Sequence, residues 1–539
     1  MFVRVKRSVQ ESGTYEYLQI VESVRDGARI RQRVIGNLGR RDQLVADGTL
    51  EALLQSLAKF SQRLRVVEKV RTEGLQAHQA RSWGPALVFE RLWQEQELPA
   101  ILARLTRERR CEFDVERACF ALALQRLCAP GSDLHGAAWL PTIECAGLAD
   151  LELHHLYRTT GVLAGVRSEL ERELFAQDRD LFTQTLDLVF IDTTSTYLYR
   201  PTETPLRRRG YSRDRMPDQP QVVLCLAVDR HGWPIAWDLL PGNTADQPAF
   251  RQMIASLRDR FHIRRVIVVA DRGMLSRDTV ALLTEDATAP FDFILGCRMR
   301  QQTDVVETVL ARAGRYQIVA ENLEVKAVTA AGRRYVICRN PAEAKKDAAA
   351  RAAILAHLET ALQRGPKAVI GNTGFRRFLR VARGAVTIDR AAVARDERLD
   401  GKFVLRTNTD LPPDEVARAY KSLWRVERAF RETKATLEVR PIFHHRDDTT
   451  LGHIVACFLA LRLEVDLQRR LDARGVEVAW PNLMTDLAEV RAVDLTLDGE
   501  RYRLRTDLRG SAAAAFTAAG VRPPRIVTHL GPAQPAAAM

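Results

Sequence analysis

Residues 186–192 read LDLVFID and residues 264–271 read RRVIVVAD. Each is a short apolar run, rich in β-branched residues, that closes on an aspartate, which is the composition of a buried strand. Between them come a polar loop rich in Arg and Pro, a strand QVVLCLAVD (221–229), a glycine turn DRHGWP (229–234), a strand IAWDLLPG (235–242) and a helix from about Pro248 to Arg260. Three consecutive strands, a helix and a fourth strand are the opening of a ribonuclease H-like fold, although periodicity alone does not separate it from other α/β arrangements.

Upstream of this core, FVRVKRSV, TYEYLQIVESV and RIRQRVIGNLG alternate between Gly and polar turns, as a small antiparallel sheet does. The first 40 residues hold eight Lys or Arg against four Asp or Glu, so residues 1–48 are expected to form a small basic β module. From 49 to 182 the period becomes helical, as in PALVFERLWQEQELPAILARL and VERACFALALQRLCAP, and a helical domain is expected. Downstream, RYQIVAENLEVKAVTAAGRRYVICR, FRRFLRVARGAVTID and GKFVLRTNT again read as strands and turns around a helical, Ala-rich stretch from Pro341 to Arg364. The expected class is therefore α/β: a ribonuclease H-like domain made of 183–296 plus 401–470, carrying a mainly β insertion at 297–400. A C-terminal extension, 471–539, contains a strand pair LTLDGERYRLRT and a tail, GPAQPAAAM, expected to be disordered.

With 539 residues the chain has room for three or four structural units at about 150 residues each. Its 81 Lys and Arg against 68 Asp and Glu leave a net charge of +13, which favours a polyanionic partner because basic side chains on phosphates release condensed counterions. The eight cysteines are scattered, without a CxxC pair, and read as free thiols of a reducing compartment; no zinc site is implied. The start, MFVRVKRSVQES, lacks a signal-peptide core, and no apolar run approaches the roughly 20 residues that span a bilayer, so a cytoplasmic location is expected.

The chemistry is carried by acids. Asp192 and Asp271 each follow an apolar strand, and parallel neighbours ending in Asp would bring both carboxylates to one rim. Taken singly each is an ordinary turn residue; a third residue gives them meaning. In AYKSLWRVERAFRETKATL (419–437), Tyr420, Glu427 and Lys434 recur every seven residues, two helical turns apart, so one phenol, one carboxylate and one ammonium share a stripe where an amphipathic helix would place Leu or Ile. LPPDEV (411–416), with prolines for the first turn and acids at the positive end, marks the helix start.

These strings together resemble the DDE transposases of bacterial insertion sequences, in the superfamily with a Y-x2-R-x3-E-x6-K signature, the IS-four group, and its IS-sixteen-thirty-four branch. The resemblance rests on IDTTSTYLY (191–199), GYSRD (210–214), LLPGNTADQ (239–247), VVADRGM (268–274), DGKFVLRTN (400–408), Tyr420 to Lys434, RPIFHHR (440–446) and GHI (452–454). It implies that Asp192, Asp271 and Glu427 are the catalytic residues and hold two Mg²⁺, with Mn²⁺ able to substitute, and that Lys434 and Tyr420 meet the DNA end. It further implies binding of inverted-repeat ends by the helical domain, cleavage and strand transfer on double-stranded DNA, a homodimer in the synaptic complex, and work at the bacterial nucleoid. The signature Arg position is Leu423 here, and Arg425 points about 200° away from it on a helix. The alternative is a transposase-derived DNA-binding protein without catalysis; the presence of all three acids and Lys434 speaks against it.

Arg207, Arg208 and Arg209, in the loop after the first strand, are candidates for gripping the DNA backbone. Asp246 is expected to cap the helix that follows it. His444, His445 and His453 match no zinc spacing and read as structural. Asp187 falls on the opposite strand face from Asp192, and Trp424 reads as core.

Overall fold

Strand β1 (Leu188–Tyr197) lies inside a nine-stranded mixed sheet. It is seen in a computed structural model describing residues 2–10, 13–26, 29–58, 76–181, 188–261, 266–284, 291–300, 305–364, 376–382, 385–431, 440–497 and 499–532. On one side of β1 come β2 (Gln221–Asp229) and β3 (Pro234–Pro241), successive antiparallel strands. The turn between them needs Gly232, at φ +82°, and is tied by Asp229, whose Oδ1 accepts from the N–H groups of His231 and Trp233. On the other side β4 (Ile267–Ala270) runs parallel to β1, and β5 (Asp292–Gly296) runs parallel to β4. Helix α1 (Asp246–Asp259) lies in the connection from β3 to β4 and buries Ala249, Phe250, Met253 and Ile254 against the sheet face of Val189, Ile191, Val268 and Ala270.

The sheet does not end at β5. Strands β6 (Gln317–Ala320), β7 (Leu323–Ala330) and β8 (Arg333–Arg339) form an antiparallel meander. Strand β9 (Lys402–Thr407) pairs with both β8 and β5, so the full order is β6-β7-β8-β9-β5-β4-β1-β2-β3. Within the insertion at 297–400 the expected Ala-rich helix is present as the 23-residue Pro341–Gln363, and a further helix, Arg390–Glu397, makes the segment mixed rather than mainly β. Local chemistry explains the longer helix. Asn340 Oδ1 accepts from the N–H groups of Ala342 and Glu343, Pro341 fits the first turn, and the body is rich in Ala.

After β9 come α2 (Pro413–Lys421), α3 (Trp424–Arg431) and α4 (Asp447–Asp472). Helix α4 packs along the helix Leu153–Leu181, and Gly452 makes this possible, because a Cβ there would overlap the backbone of Thr160. The pair is fastened by Arg462, which donates to both oxygens of Asp178 at 2.8 and 2.9 Å. A second charged group, Arg167, Glu171, Asp238 and Arg260, ties Leu153–Leu181 to β3 and to the end of α1. All of this belongs to one compact unit, Trp83–Ala488 with Leu508–Arg522.

The other unit is Met1–Ser82, Glu489–Asp507 and Pro523–Met539. It contains the antiparallel sheet Phe2–Gln10, Gly13–Asp26 and Arg29–Arg40, read from the alternation above. It also contains a four-stranded sheet in the order Val527–Pro532, Glu500–Arg505, Arg491–Leu497, Gln76–Ser82. The last strand lies within the stretch expected to be helical. Its partners are remote in sequence, with Arg81 paired to Asp494 at 3.0 Å and His78 to Thr496 at 2.7 Å, so local periodicity carries no sign of it. The tail 533–539, Asp187 and Lys434 lie outside the described residues.

Candidate active site

Parallel pairing between β1 and β4 runs Leu188↔Ile267, Val189↔Val268, Phe190↔Val269 and Ile191↔Ala270, so Asp192 and Asp271 are the next residues on adjacent strands. The two aspartates are brought side by side as expected, with one difference. Asp192 is inside β1, not at its end: Thr193 to Tyr197 continue the strand, paired with β2 from Asp192↔Leu226 to Tyr197↔Gln221. Three of those residues are β-branched, which suits an extended backbone better than a loop. Asp271 does follow the end of its strand, in a turn where the Met274 N–H reaches the Asp271 carbonyl at 3.0 Å.

The segment carrying Tyr420 and Glu427 is two helices, not one. Pro413 starts α2 as expected, but at Ser422 and Leu423 the backbone tightens to i→i−3 bonds, Leu423 N–H to the Tyr420 carbonyl at 3.0 Å and Arg425 N–H to the Ser422 carbonyl at 3.0 Å, before α3 begins. The seven-residue stripe therefore does not pass unbroken from Tyr420 to Glu427. The helices serve different strands: α3 packs on β1 and β2, and α2 on β4 and β5. Glu427 is exposed on α3. Tyr420 is half-buried and donates its hydroxyl to Asp271 Oδ1 at 2.9 Å, with its ring stacked on Phe403. Room for that hydroxyl comes from Gly296, where a Cβ would stand 2.5 Å from Tyr420 Oη and 2.9 Å from the Arg272 nitrogen. Leu423 is buried at 6 % exposure. Trp424, expected in the core, is exposed, with the Arg425 guanidinium 5.1 Å from its ring.

Electrostatics link the three acids. Burial pushes the Asp192 carboxyl up to about 6, and the like charges of Asp271 and Glu427 push the same way. The Thr193 N–H, which donates to Asp192 Oδ1 at 2.7 Å, and the charge of Arg213 oppose that rise. Among the described residues no three His, Cys, Asp or Glu side chains converge closely enough to form a metal-holding group. The carboxylates thus sense one another without closing into a ligand shell.

Beside Asp192 lies a network that the sequence did not foretell: it gives Thr193 and Arg213 no role, and Asp246 only that of a helix cap. Thr193 Oγ1 donates to Asp246 Oδ1 at 2.7 Å, and Arg213 Nη2 donates to Thr193 Oγ1 at 2.9 Å and to Asp246 Oδ1 at 2.6 Å. Asp246 is the first residue of α1, whose N-cap is Ala245; it faces this network and caps nothing. Signals existed in GYSRD and LLPGNTADQ, but nothing local says that the two strings meet.

The arginine run divides. Arg207, expected to grip DNA, is corrected to a buried structural residue at 2 % exposure: its guanidinium meets Asp447 Oδ1 at 3.1 Å and Thr450 Oγ1 at 2.9 Å, fastening the loop to α4. Arg208 and Arg209 are exposed, and Arg209 donates to the Asp218 carbonyl at 3.0 Å. His444 lies half-buried 3.8 Å from Asp133, its pKa held down by desolvation, and its ring meets His453 at 5.2 Å, a packed arrangement.

Comparison with known families adds the chain's context. The transposase DDE domain family matches residues 183–463, which span every element described around Asp192, Asp271 and Glu427. The IS1634 family transposase N-terminal domain matches residues 3–73. No curated protein matches the chain. More than half of the sequence falls in the DDE match, and the two matches follow one another in the order of a single protein, so this chain is a DDE transposase of the IS1634 family.

Proposed function

We propose that this transposase binds the inverted-repeat ends of its own insertion sequence and moves the element by cut and paste, with Asp192, Asp271 and Glu427 as the catalytic acids. The observation that carries the reading is the parallel register Ile191↔Ala270, which sets two carboxylates on neighbouring strands, beneath a helix whose Glu427 contributes charge to Asp192. The order β3-β2-β1-β4-β5 supports a ribonuclease H-like core, extended by β9 of the same domain and by β6 to β8 from the insertion.

The acids suit a divalent metal. Carboxylate oxygens are the donors Mg²⁺ selects, and ionised Asp192 is opposed by burial and two like charges, a cost that a cation removes. Asp192, Asp271 and Glu427 would hold two Mg²⁺, or Mn²⁺ in their place, and such ions activate the attacking oxygen and stabilise the leaving one. The residues around them orient the donors: the Thr193 N–H fixes one oxygen of Asp192 and the Tyr420 hydroxyl one oxygen of Asp271. Tyr420 is therefore assigned to positioning Asp271 before any contact with DNA. Lys434, Arg208 and Arg209 are assigned to phosphates flanking the cut.

Water cleaves at the element ends and the freed 3′ hydroxyls then attack target DNA, with no covalent protein intermediate. Two ends joined at once call for two copies of the chain, and the reading places the protein on the bacterial nucleoid. Among the described residues no helix is long and apolar enough to cross a membrane. Purified protein, an end duplex and Mg²⁺ test the assignment: wild type should cut at the end, and cutting by Asp192→Asn or Glu427→Gln would remove those residues from the mechanism.

A further inference from the structure

Before metal binds, the three carboxylates repel the phosphodiester, and a protein cation aimed at the scissile phosphate offsets that repulsion. Leu423 is buried and apolar, and Arg207 is spent on Asp447 and Thr450. We propose that Arg213 grips the scissile phosphate, oriented by Asp246 and Thr193 on a loop fixed in place before DNA arrives. The proposal rests on the assignment of Asp192, Asp271 and Glu427 as the active site.

The donor count favours this role. Arg213 contacts Thr193 and Asp246 through Nη2 alone and Ser195 Oγ through its backbone N–H at 3.0 Å. Among the described residues its Nε and Nη1 meet no acceptor, which leaves one side of the guanidinium fork for a phosphate. The side chain is about a third exposed, at 32 %, so an incoming strand reaches it. Its position follows from sequence neighbours: Thr193 is the residue after Asp192, and Asp246 Oδ2 lies 3.5 Å from the place of a Cβ on Gly273, two residues after Asp271. Among the charges acting on the Asp192 carboxyl, that of Arg213 acts most strongly.

The loop is held from several directions. Gln221 Nε2 donates to the Tyr211 carbonyl at 3.1 Å and to the Gly242 carbonyl at 2.7 Å, while the backbones of Arg208 and Gln221 exchange two hydrogen bonds, at 3.2 and 3.0 Å. A Cβ on Gly210 or Gly242 would overlap the facing backbone, so both glycines are needed for this approach. Arg440 pairs with Asp214, and Arg215 is held at φ +59°, a conformation that costs a non-glycine residue energy and persists only where the surroundings enforce it. A cation fixed in advance loses nothing to reorganisation when charge develops on the phosphate.

The test compares the full-length wild type with Arg213→Ala on an end duplex and on the same duplex with a neutral methylphosphonate at the scissile position. With EDTA present, wild type should bind the methylphosphonate duplex more weakly than the natural one, and Arg213→Ala should bind it equally well or better. With Mg²⁺, Arg213→Ala should cut natural DNA roughly 100-fold more slowly in a single turnover, the loss typical of one missing transition-state donor, and Arg213→Lys should recover part of it. Thermal unfolding checks that each variant is folded; should Arg213→Ala fail there, Arg213→Gln, which keeps a hydrogen bond to Asp246 without the charge, takes its place. Equal discrimination between the two duplexes by wild type and the variant, or a wild-type cutting rate in the variant, overturns the proposal. Cutting by Asp192→Asn would instead overturn the active-site assignment, and the EDTA comparison would still report on Arg213.

Discussion

The hydroxyl of Tyr420 donates to Asp271 Oδ1 at 2.9 Å. Asp271 follows a short central strand, and Tyr420 sits on a helix more than a hundred residues later, so this bond joins the two halves of the site. Tyr420→Phe would keep the stacking on Phe403 and remove only the hydroxyl. Supporting hydrogen bonds of this kind are worth roughly 10- to 100-fold in metal affinity or activity, and a loss in that range is expected. Calorimetric titration of Mn²⁺ into wild type and variant measures it; equal affinities and equal cleavage rates would mean that the bond is incidental.

The raised pKa of Asp192 predicts how stability depends on pH. Burial, with the charges of Asp271 and Glu427, lifts the folded-state value from 3.8 to about 6. A raised folded value favours the protonated form in the native state, so this contribution to stability is full below pH 4 and is lost as pH rises through about 6. Without metal, Asp192→Asn should therefore be more stable than wild type at pH 8, by about 2 kcal/mol after allowing for partial exposure, and no more stable at pH 4. Urea unfolding at the two pH values decides it. Metal binding, which needs the ionised acid, should weaken steeply below pH 6.

Burial of Arg207 separates two roles within one run of arginines. Arg207→Ala should cost about 2 kcal/mol of stability, because it removes the buried guanidinium that ties the loop to Asp447 and Thr450, and should leave the salt dependence of DNA binding unchanged. Arg208→Ala should do the reverse, with stability kept and the slope of log affinity against log salt reduced by about 1. Melting curves and binding at several salt concentrations distinguish them, and exchanged behaviour would reverse the assignment.

Gly452 is a packing requirement within the GHI string. A methyl group there would overlap the Thr160 backbone, and backbone cannot turn aside as a flexible side chain does. Gly452→Ala is expected to destabilise by about 3 kcal/mol, the upper end for overpacking. Ala in place of Gly475, where nothing lies within 4 Å of the new Cβ, meets no neighbour, and its cost is only that of φ +68°. Comparing their unfolding midpoints checks the distinction; equal losses would leave the helix crossing without a special demand.

Sequence carried the central strands well, because LDLVFID, QVVLCLAVD and RRVIVVAD are short, apolar and β-branched, and burial on both faces leaves such runs little other choice. It placed Asp192 and Asp271 side by side through the strands they follow, whereas the stripe argument for Tyr420 and Glu427 assumed an unbroken helix and Ser422 breaks it. What stayed hidden depends on chain segments meeting across long separations. The burial of Arg207 is decided by Asp447 and Thr450, about 240 residues away, and the strand Gln76–Ser82 exists only because Arg491–Leu497 pairs with it. Asp246 looked like a helix cap for the same reason, since its partners Thr193 and Arg213 belong to other strings.

The pairing of β5 with β9 has an evolutionary consequence. The chain leaves β5 at Gly296, adds β6 to β8 to the far side of the same sheet, and returns at Lys402 on the antiparallel strand next to β5, where Leu405 faces Gly296. Everything between departs from and comes back to nearly one point, so its length is free of the spacing between Asp271 and Glu427. Segments of almost any size could be gained or lost there while the acids stay in register, which makes this doorway the place where related transposases are free to diverge.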